Sequence, residues 1–221
     1  MNSVTFYDEF TCINSYKDLG LLLLPRKIPK PTPKTNYVDI PGGDGSLDLS
    51  EVVAGEIKYN DYVIPFEFHV IDENLDWDSK VSEIANCLNG RKKNIIISSD
   101  SDYYYVGVRC EVNEFSSNKR LGNITINCRV KPYKLKRIES TYSIDLGSTK
   151  TTKEIRINND RMTTVPTIIC SDNVNVTFIE NTYSLNAGTH KILDILFKEG
   201  LNILTVEGTG TFTLNYQEGS L

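Results

Sequence analysis

The sequence predicts a mainly β protein that carries one α-helix and is divided into two domains. Residues that favour strands, namely Val, Ile, Thr, Tyr and Phe, are frequent, and most apolar stretches are short and alternate with polar positions. An apolar repeat with three- and four-residue steps occurs in one segment, around Lys80. The length of 221 residues fits one large domain or two small ones.

Composition and charge exclude several classes of protein. Hydrophobic residues make up 39% of the chain, enough for packed cores, and the net charge is −5, so no bulk positive field attracts nucleic acid or an anionic membrane. The first residues include Asp8 and Glu9 and no basic stretch, so no secretion signal is predicted. Leu19–Leu24 is too short to span a bilayer, which takes about 20 apolar residues. We therefore expect no nucleic-acid specificity and no membrane insertion.

The cysteines and histidines do not form a metal-binding pattern. Five cysteines are scattered along the chain without a C-x-x-C pair, and the two histidines are far apart in the sequence. A structural zinc site needs clustered Cys or His ligands, so we predict no metal and no cofactor. The cysteines are expected to be reduced and to pack as small, buried hydrophobes. They are Cys12, Cys87, Cys110, Cys128 and Cys170.

The beginning of the chain predicts short strands interrupted by an extended arm. Strands are expected at Val4–Thr11, Asp18–Leu24 and Lys34–Ile40. Residues 25–35 contain four prolines, which exclude a helix and hold the backbone close to polyproline II. Such an arm either lies on the protein's own surface or reaches a neighbouring molecule.

A glycine-rich turn follows the arm and leads into a second short apolar alternation. Its residues can adopt the unusual backbone angles of a tight loop or hydrogen-bond their own backbone. They are Pro41, Gly42, Gly43, Asp44, Gly45 and Ser46. The turn has neither the spacing and lysine of a P-loop nor a G-x-G-x-x-G pattern, so we interpret it as a structural turn and not as a phosphate site.

The middle of the chain predicts a long strand, the helix and a strand pair. Apolar residues alternate over Tyr62–Val70, which is typical of a half-buried strand. The helix is expected at about 77–89, with Asp76 at its start and Gly90 at its end. Tyr103–Val112 and Leu121–Val130 then form the best strand pair. In the second of these, one face carries Ile124, Ile126, Cys128 and Val130.

A domain boundary is predicted between residues 138 and 139, after a basic segment that contains Pro132. Residues 139–221 consist almost entirely of strand and turn patterns, which indicates a β-sandwich. Gly208-Thr-Gly210 is interpreted as a hairpin turn between Asn202–Glu207 and Thr211–Tyr216.

The sequence offers no catalytic constellation. It has no Gly-x-Ser-x-Gly elbow and no His-Glu-x-x-His motif. Neighbouring carboxylates such as Asp100 and Asp102 do not provide the facing pair that glycosidases need, and their loop lacks EF-hand spacing. We predict no catalytic residue, and hence no enzyme.

Several segments together carry a resemblance to a known family. Ser15-Tyr-Lys-Asp-Leu-Gly20, the proline arm and Val38-Asp-Ile-Pro-Gly-Gly-Asp-Gly-Ser-Leu-Asp-Leu-Ser50 follow one another, and a later strand closes on Cys128-Arg-Val-Lys-Pro-Tyr-Lys134. This order resembles the distal tail proteins of long-tailed bacteriophages and of phage-like tail particles. Gly200–Tyr216 is similar to the end of the family's galectin-like C-terminal domain.

The resemblance implies a fold, a role and partners. The N-terminal domain, 1–138, would be a β-sandwich or split barrel that builds a ring, with six copies expected, at the virion tail tip or baseplate. The C-terminal domain, 139–221, would be a galectin-like β-sandwich that carries receptor-binding components. The expected partners are the chain itself, the tail tube protein, the tip or baseplate hub protein and a receptor-binding protein.

The arm and the glycine-rich turn are the candidate contacts between subunits, because extended backbone can add to a neighbour's sheet edge. The candidate residues are Pro29, Pro31, Tyr37, Asp39, Pro41, Gly42, Gly43, Asp44, Gly45 and Ser46. The alternative interpretation is a carbohydrate-binding adhesion module that recognises host-surface glycan. It would need an exposed aromatic ring with polar partners on the second domain.

Overall fold

The structure, a computed structural model, describes residues 2–25, 27–71, 76–117 and 121–221. By its internal contacts the chain divides into a first unit, Met1–Lys134 with Leu221, and a second unit, Leu135–Ser220. Each unit has its own apolar core. The division lies shortly before the predicted boundary between 138 and 139. Arg26, which belongs to the predicted arm 25–35, lies outside the described residues.

The first unit is an antiparallel β structure with helix α1 (Trp77–Leu88) and a short 3₁₀ turn (Ser98–Asp100). Its strands are β1 (Val4–Tyr7), β2 (Cys12–Asn14), β3 (Leu22–Leu23), β4 (Tyr37–Asp39), β5 (Ser46–Asp48), β6 (Tyr62–Ile71), β7 (Asn94–Ile97), β8 (Tyr103–Ser117) and β9 (Leu121–Lys136). The main sheet has the order β2-β1-β7-β8-β9-β6-β3, whereas β4 and β5 form a separate two-stranded sheet. The predicted mainly β class with one helix is confirmed for the described residues.

This main sheet closes on itself around the core. β1 and β6 are separated by β7, β8 and β9, so in a flat sheet they would lie roughly 19 Å apart, at about 4.8 Å per strand. Nevertheless the rings of Phe6 in β1 and Phe66 in β6 meet edge to face, with centroids 6.3 Å apart. The sheet therefore curls until β1 and β6 face each other, in a barrel-like closure.

The alternation predicted for β9 is confirmed. Ile124, Ile126, Cys128 and Val130 are all buried and belong to the core of the first unit. β9 pairs with β6 in continuous antiparallel register from Tyr62 opposite Val130 to Ile71 opposite Leu121. Because the period of a strand is two, this register sends one full face of each strand into the core.

Three early strands are shorter than predicted, and of Lys34–Ile40 only β4 (Tyr37–Asp39) is a strand. Val4–Thr11 ends as a strand at Tyr7, because the Asp8 carboxylate accepts hydrogen bonds from the backbone of Phe10 and Thr11 and turns the chain. Asp18–Leu24 begins as a turn and contains only the short strand β3.

Helix α1 has the predicted caps. The Asp76 carboxylate accepts a hydrogen bond from the Ser79 backbone at 3.4 Å, and Gly90, just past the end, has a φ of +73°. Ile84 and Leu88 are buried in the core. Trp77 at the first turn packs on Phe115, with ring centroids 5.8 Å apart.

The second unit is organised by two long paired strands. Its strands are β10 (Ser140–Asn159), β11 (Thr167–Cys170), β12 (Val174–Phe178), β13 (Asn181–Leu185), β14 (Gly188–Lys191), β15 (Gly200–Tyr216) and β16 (Gly219–Ser220). β10 runs antiparallel along one edge of β15, from Ser140 opposite Tyr216 to Asn159 opposite Gly200. The other edge of β15 pairs first with β12 and then with β11.

The hairpin turn predicted at Gly208-Thr-Gly210 is wrong, because β15 continues through it. The glycines mark the place where β15 leaves β12 and joins β11. A Cβ on Gly208 would lie 2.7 Å from Val174 Cγ1, and Gly210 has a φ of +76°. Here glycine therefore permits a close packing contact and a bend inside one strand, and it does not reverse the chain.

Gly122 in β9 lies directly beneath the Trp77 ring, since a Cβ at this position would be 2.3 Å from Trp77 Cζ3. We expect Gly122→Ala to displace the ring and to lower the free energy of unfolding by about 1–3 kcal/mol, the usual effect of overpacking. Urea unfolding measures this change. As a control, Gly43→Ala lies in an exposed loop at ordinary φ and should change stability by about 0.5 kcal/mol or less. Equal effects of the two substitutions would contradict the contact.

Candidate assembly surfaces

Residues 32–60 leave the main sheet of the first unit and return to it, forming an excursion that we call the β-finger. At its base the Lys34 backbone N–H donates to the Lys58 carbonyl at 2.7 Å, and the Asn60 N–H donates to the Thr32 carbonyl at 2.9 Å. Further out, the Leu49 N–H donates to the Asn36 carbonyl at 2.8 Å. The β-finger is therefore tied together by its own backbone and does not use the core.

The outer part of the β-finger is the β4–β5 hairpin, whose two faces differ in chemistry. Val38 is directly opposite Leu47, and directly opposite residues share a face. Val38 is 46% exposed and Leu47 is 51% exposed, so about half of each side chain on this apolar face is open to solvent. Asp39 is opposite Ser46 on the other face, where the Ser46 hydroxyl donates to the Asp39 carboxylate at 2.7 Å.

The loop of the hairpin depends on two of its glycines. The Gly43 N–H donates to the Ile40 carbonyl at 3.0 Å, and Gly42 has a φ of +78°. With Pro41 before it, this is the pattern of a type II turn, which needs positive φ at its third residue. Gly45 has a φ of +77°, whereas Gly43 has no positive φ. Pro41, Gly42 and Gly45 therefore set the shape of the loop.

Most of the predicted contact residues lie together on the β-finger. Those from Tyr37 to Ser46 are exposed, and Tyr37 is 60% exposed. The two prolines of the arm differ, because Pro29 is exposed but Pro31 is buried. Pro31 is therefore part of the packing of its own chain and is removed from the candidate surface. Val38 and Leu47 lie within the predicted contact segment Tyr37–Leu49 but were not singled out, although their alternation with polar residues was a usable signal.

A second exposed apolar feature of the first unit is Phe10, which is 90% exposed at the turn between β1 and β2. Asp8 holds this turn through hydrogen bonds from the backbone of Phe10 at 2.9 Å and of Thr11 at 2.8 Å. The buried Lys93 side chain reaches the same place and donates to both Asp8 and Thr11. The turn is therefore fixed from inside the fold while its aromatic ring faces solvent. The pattern Arg91-Lys-Lys-Asn94 alone is typical of a solvated basic turn and does not indicate this buried contact.

The contact with Lys93 also keeps the Asp8 carboxylate of this turn charged. The hydrogen bond from the Lys93 ammonium, together with those from Phe10 and Thr11, holds the pKa of the Asp8 carboxyl well below its usual range, against a smaller opposing effect of burial. Asp8 thus stays ionised under mildly acidic conditions. A shallow groove of about 450 Å³ lies beside it, lined by residues that include Tyr7, Phe10 and Lys92.

The second unit has a groove to which mostly polar residues contribute, but it has no exposed aromatic ring. The groove has a volume of about 430 Å³, and Glu207 in its lining pairs with Lys150 at 2.9 Å. The Lys150 ammonium, with further help from Asn175, lowers the pKa of the Glu207 carboxyl. Every aromatic side chain of residues 135–220 is buried or partly buried. These are Tyr142, Phe178, Tyr183, Phe197, Phe212 and Tyr216.

The described residues contain no group of three or more His, Cys, Asp or Glu side chains that could hold a metal ion. Asp100 of the acidic turn pairs instead with the Lys134 ammonium at 2.7 Å. Within the part of the chain that the structure describes, no helix is both long enough and apolar enough to cross a bilayer.

Comparison with known proteins identifies the family. The family described as phage tail protein RIFT-related domain matches residues 14–129, which is more than half of the chain. The chain belongs to this phage tail family. The resemblance read from the sequence is thereby confirmed, and so is its expected location in the virion tail. No curated protein matches the chain.

Among solved structures, the chain is similar to the Dit (gp 19.1) protein of SPP1. The match covers 100% of both chains with a TM-score of 0.70 and 15% sequence identity. That protein is described as a paradigm of the hub adsorption apparatus in phages that infect Gram-positive bacteria. At this identity the likeness establishes the fold of both units of this phage tail protein.

The Asp8–Lys93 pair predicts a pH dependence of stability. The pKa of Asp8 is lowered by folding, so the pair stabilises the protein above about pH 4, the ordinary pKa of Asp, and this contribution is lost as the pH falls through the folded-state pKa. Asp8→Asn should therefore destabilise the protein near neutral pH, and the difference from wild type should shrink on acidification below about pH 4. Thermal unfolding over a pH series measures this difference.

Lys93→Met provides the control, because it removes the largest cause of the lowered pKa of Asp8. In that background Asp8→Asn should give a much weaker dependence on pH. If the dependence is the same with and without Lys93, the pair is not its origin.

Proposed function

We propose that the protein is a structural component of the distal tail that forms a closed ring, with six copies expected, at the tip of a phage or phage-like tail. The ring joins the tail tube to the tip or baseplate hub protein and carries receptor-binding components at its periphery. The observation that supports this proposal best is the β-finger with its uncovered apolar face. Membership of the phage tail family supports the structural role.

The β-finger has the properties of an arm that binds a neighbouring subunit. Its backbone is ordered by internal hydrogen bonds at 2.7–2.9 Å, so little conformational entropy is lost on docking. Val38, Ile40 and Leu47 are each about half exposed, and two of them share one face of the hairpin. Burial of such side chains in a neighbour is favourable by about 25 cal/mol per Å² of apolar surface.

A ring also requires a second, different surface on each subunit. Head-to-tail contacts join two unlike patches, and they close into a ring when the rotation between subunits allows it. The Phe10 turn is our candidate for this second patch, because its aromatic ring is exposed while its backbone is held by Lys93 and Asp8. Exposed aromatic side chains on rigid supports are typical anchors of protein interfaces.

We propose that the two units have separate roles. Residues 1–138 would build the ring, and residues 139–221, interpreted as a galectin-like sandwich, would carry peripheral components. No observation favours the carbohydrate-binding alternative, because the second unit has no exposed aromatic ring on which a sugar could stack. We also propose that the protein acts by assembly and not by catalysis.

The apolar face of the hairpin provides the direct test. We expect the double variant Val38→Asp/Leu47→Asp to abolish assembly, because burying two carboxylates in an apolar contact costs several kcal/mol. Both side chains are about half exposed in the single chain, so the midpoint of urea unfolding should hardly change. Light scattering over a range of concentrations, with and without tail tube protein as a template, measures assembly. A Phe10→Ser variant tests the second patch in the same way.

Leu193→Asp is the matched control, since Leu193 is 75% exposed but lies in the second unit. It introduces one similar charge and should leave assembly intact. If the hairpin variant assembles as well as wild type, the β-finger is not the contact. If Leu193→Asp alone disrupts assembly, the proposal that residues 1–138 build the ring without the second unit is wrong.

The division into domains has its own test. Residues 1–138 expressed alone should form the same closed assembly as the full chain, because the first core is complete without the second unit. Residues 139–221 alone should be monomeric. Mass in solution distinguishes the outcomes, and a monomeric 1–138 fragment beside an assembling full chain would contradict the proposal.

A further inference from the structure

Cys110 in β8 and Cys128 in β9 face each other in the core of the first unit. Their Sγ atoms are 3.6 Å apart, and the Cys128 thiol donates to the Cys110 sulfur. Both side chains are fully buried, and all five cysteines of the chain are free thiols. Two thiols this close on neighbouring strands raise the question of whether they can be bridged.

The backbone hydrogen bonds of Cys110 show to which side its N–H and C=O groups point. The Cys110 N–H donates to the Arg91 carbonyl at 2.9 Å, and the Cys110 carbonyl accepts from the Gly90 N–H at 2.8 Å. In an antiparallel strand the N–H and C=O of one residue point to the same side, so Cys110 makes no ladder bonds toward β9. Together with the 3.6 Å between the two sulfurs, this indicates a non-hydrogen-bonded pair with Cys128.

This type of pair has the dimensions of a disulfide. Directly opposite residues in a non-hydrogen-bonded pair have Cα atoms about 4.5 Å apart, within the range of about 4.4–6.8 Å that a disulfide spans. The two sulfurs must approach from 3.6 Å to about 2.05 Å. At that general Cα spacing, rotation of the side chains is the movement that closes such a gap.

We propose that Cys110 and Cys128 are an oxidation site that a peroxide converts into a disulfide across β8 and β9. In the first step the Cys110 thiolate attacks one oxygen of hydrogen peroxide, the O–O bond breaks, and the leaving hydroxide takes the thiol proton to give water and a sulfenic acid on Cys110. In the second step Cys128 attacks that sulfur, the S–O bond breaks, and a second water leaves. The two thiols lose two electrons in total, which reduce the peroxide.

The surroundings assign different roles to the two thiols. The hydrogen bond from Cys128, together with the charge and backbone N–H of Lys93, lowers the pKa of the Cys110 thiol against the opposing effect of burial. Burial, reinforced by the neighbouring Cys110, raises the pKa of Cys128. Because the thiolate is the nucleophile, Cys110 reacts first and Cys128 resolves the intermediate.

Burial of the two thiols determines the rate of their oxidation and the product that forms. The oxidant reaches the sulfurs only during local opening of the sheet, so the reaction is slow at low temperature and accelerates as opening becomes frequent. Once the sulfenic acid forms, the adjacent Cys128 is available to close the bridge before further oxidation.

To test the proposal, the whole 221-residue chain is treated with hydrogen peroxide. A Cys12→Ser background is used because Cys12 is exposed and could link two molecules. Samples taken over time are denatured and alkylated, and intact mass and non-reducing peptide mapping are measured. We expect two of the remaining thiols to become protected from alkylation, a mass loss of two hydrogens, and one linked peptide pair containing Cys110 and Cys128. Dithiothreitol should reverse all three changes.

Control variants and a repeat at higher temperature distinguish this bridge from other oxidation products. Cys170→Ser, at another buried cysteine, should leave the bridge unaffected, whereas Cys110→Ser should prevent it. The treatment is repeated just below the melting temperature, where opening is frequent. If both thiols can still be alkylated there, if they gain oxygen without linking, or if the linked peptides join other cysteines, the proposal is wrong. The oxidised protein should also melt several degrees higher than the reduced protein, because a cross-link restricts the unfolded chain.

Discussion

The contact between Phe6 and Phe66 determines how the first unit is built, because it joins strands from distant positions of one sheet. A sheet that curls far enough to bring these rings together buries one face of β1, β6, β7 and β9 around a common core. None of the residues 32–60 belongs to this core or packs against it. The β-finger therefore keeps its backbone hydrogen bonds internal and leaves Val38 and Leu47 in solvent.

The turn at Phe10 is explained by the ion pair between Lys93 and Asp8. Burying a lysine is unfavourable unless its ammonium is paired, and Lys93 is paired with the carboxylate that shapes this turn. The fold thus uses a buried cation to fix a segment of its surface. A rigid turn with an exposed ring and an ordered hairpin with an exposed apolar face are the kinds of surface that bind another protein with little loss of conformational entropy.

Much of the first unit could be predicted because its signals are local. The stripe of helix α1 with Asp76, and the alternation of β9, depend only on nearby residues and on one buried face. The role of Lys93 could not be predicted, since its partner Asp8 is distant in the sequence and only the fold brings them together. Pro31 appeared to be an exposed arm residue for the same reason, because proline predicts extended backbone but not what covers it.

In the second unit, glycine was the misleading signal. Gly208 and Gly210 carry the composition of a turn, yet their missing side chains make room for Val174 and for a bend within β15. Close approach and chain reversal require the same residue, so the sequence alone does not separate them. The long strand β10 was also missed, since its regular alternation is interrupted by a bulge near Gly147.

The pairing of Ser140 with Tyr216 has a consequence for how such proteins diversify. The chain therefore enters this ribbon, formed by β10 and β15, and leaves it at the same end. Because the second unit also has a core of its own, its sequence can change without altering the packing around Phe6 and Phe66. The two cores of a tail protein organised in this way can therefore diverge independently.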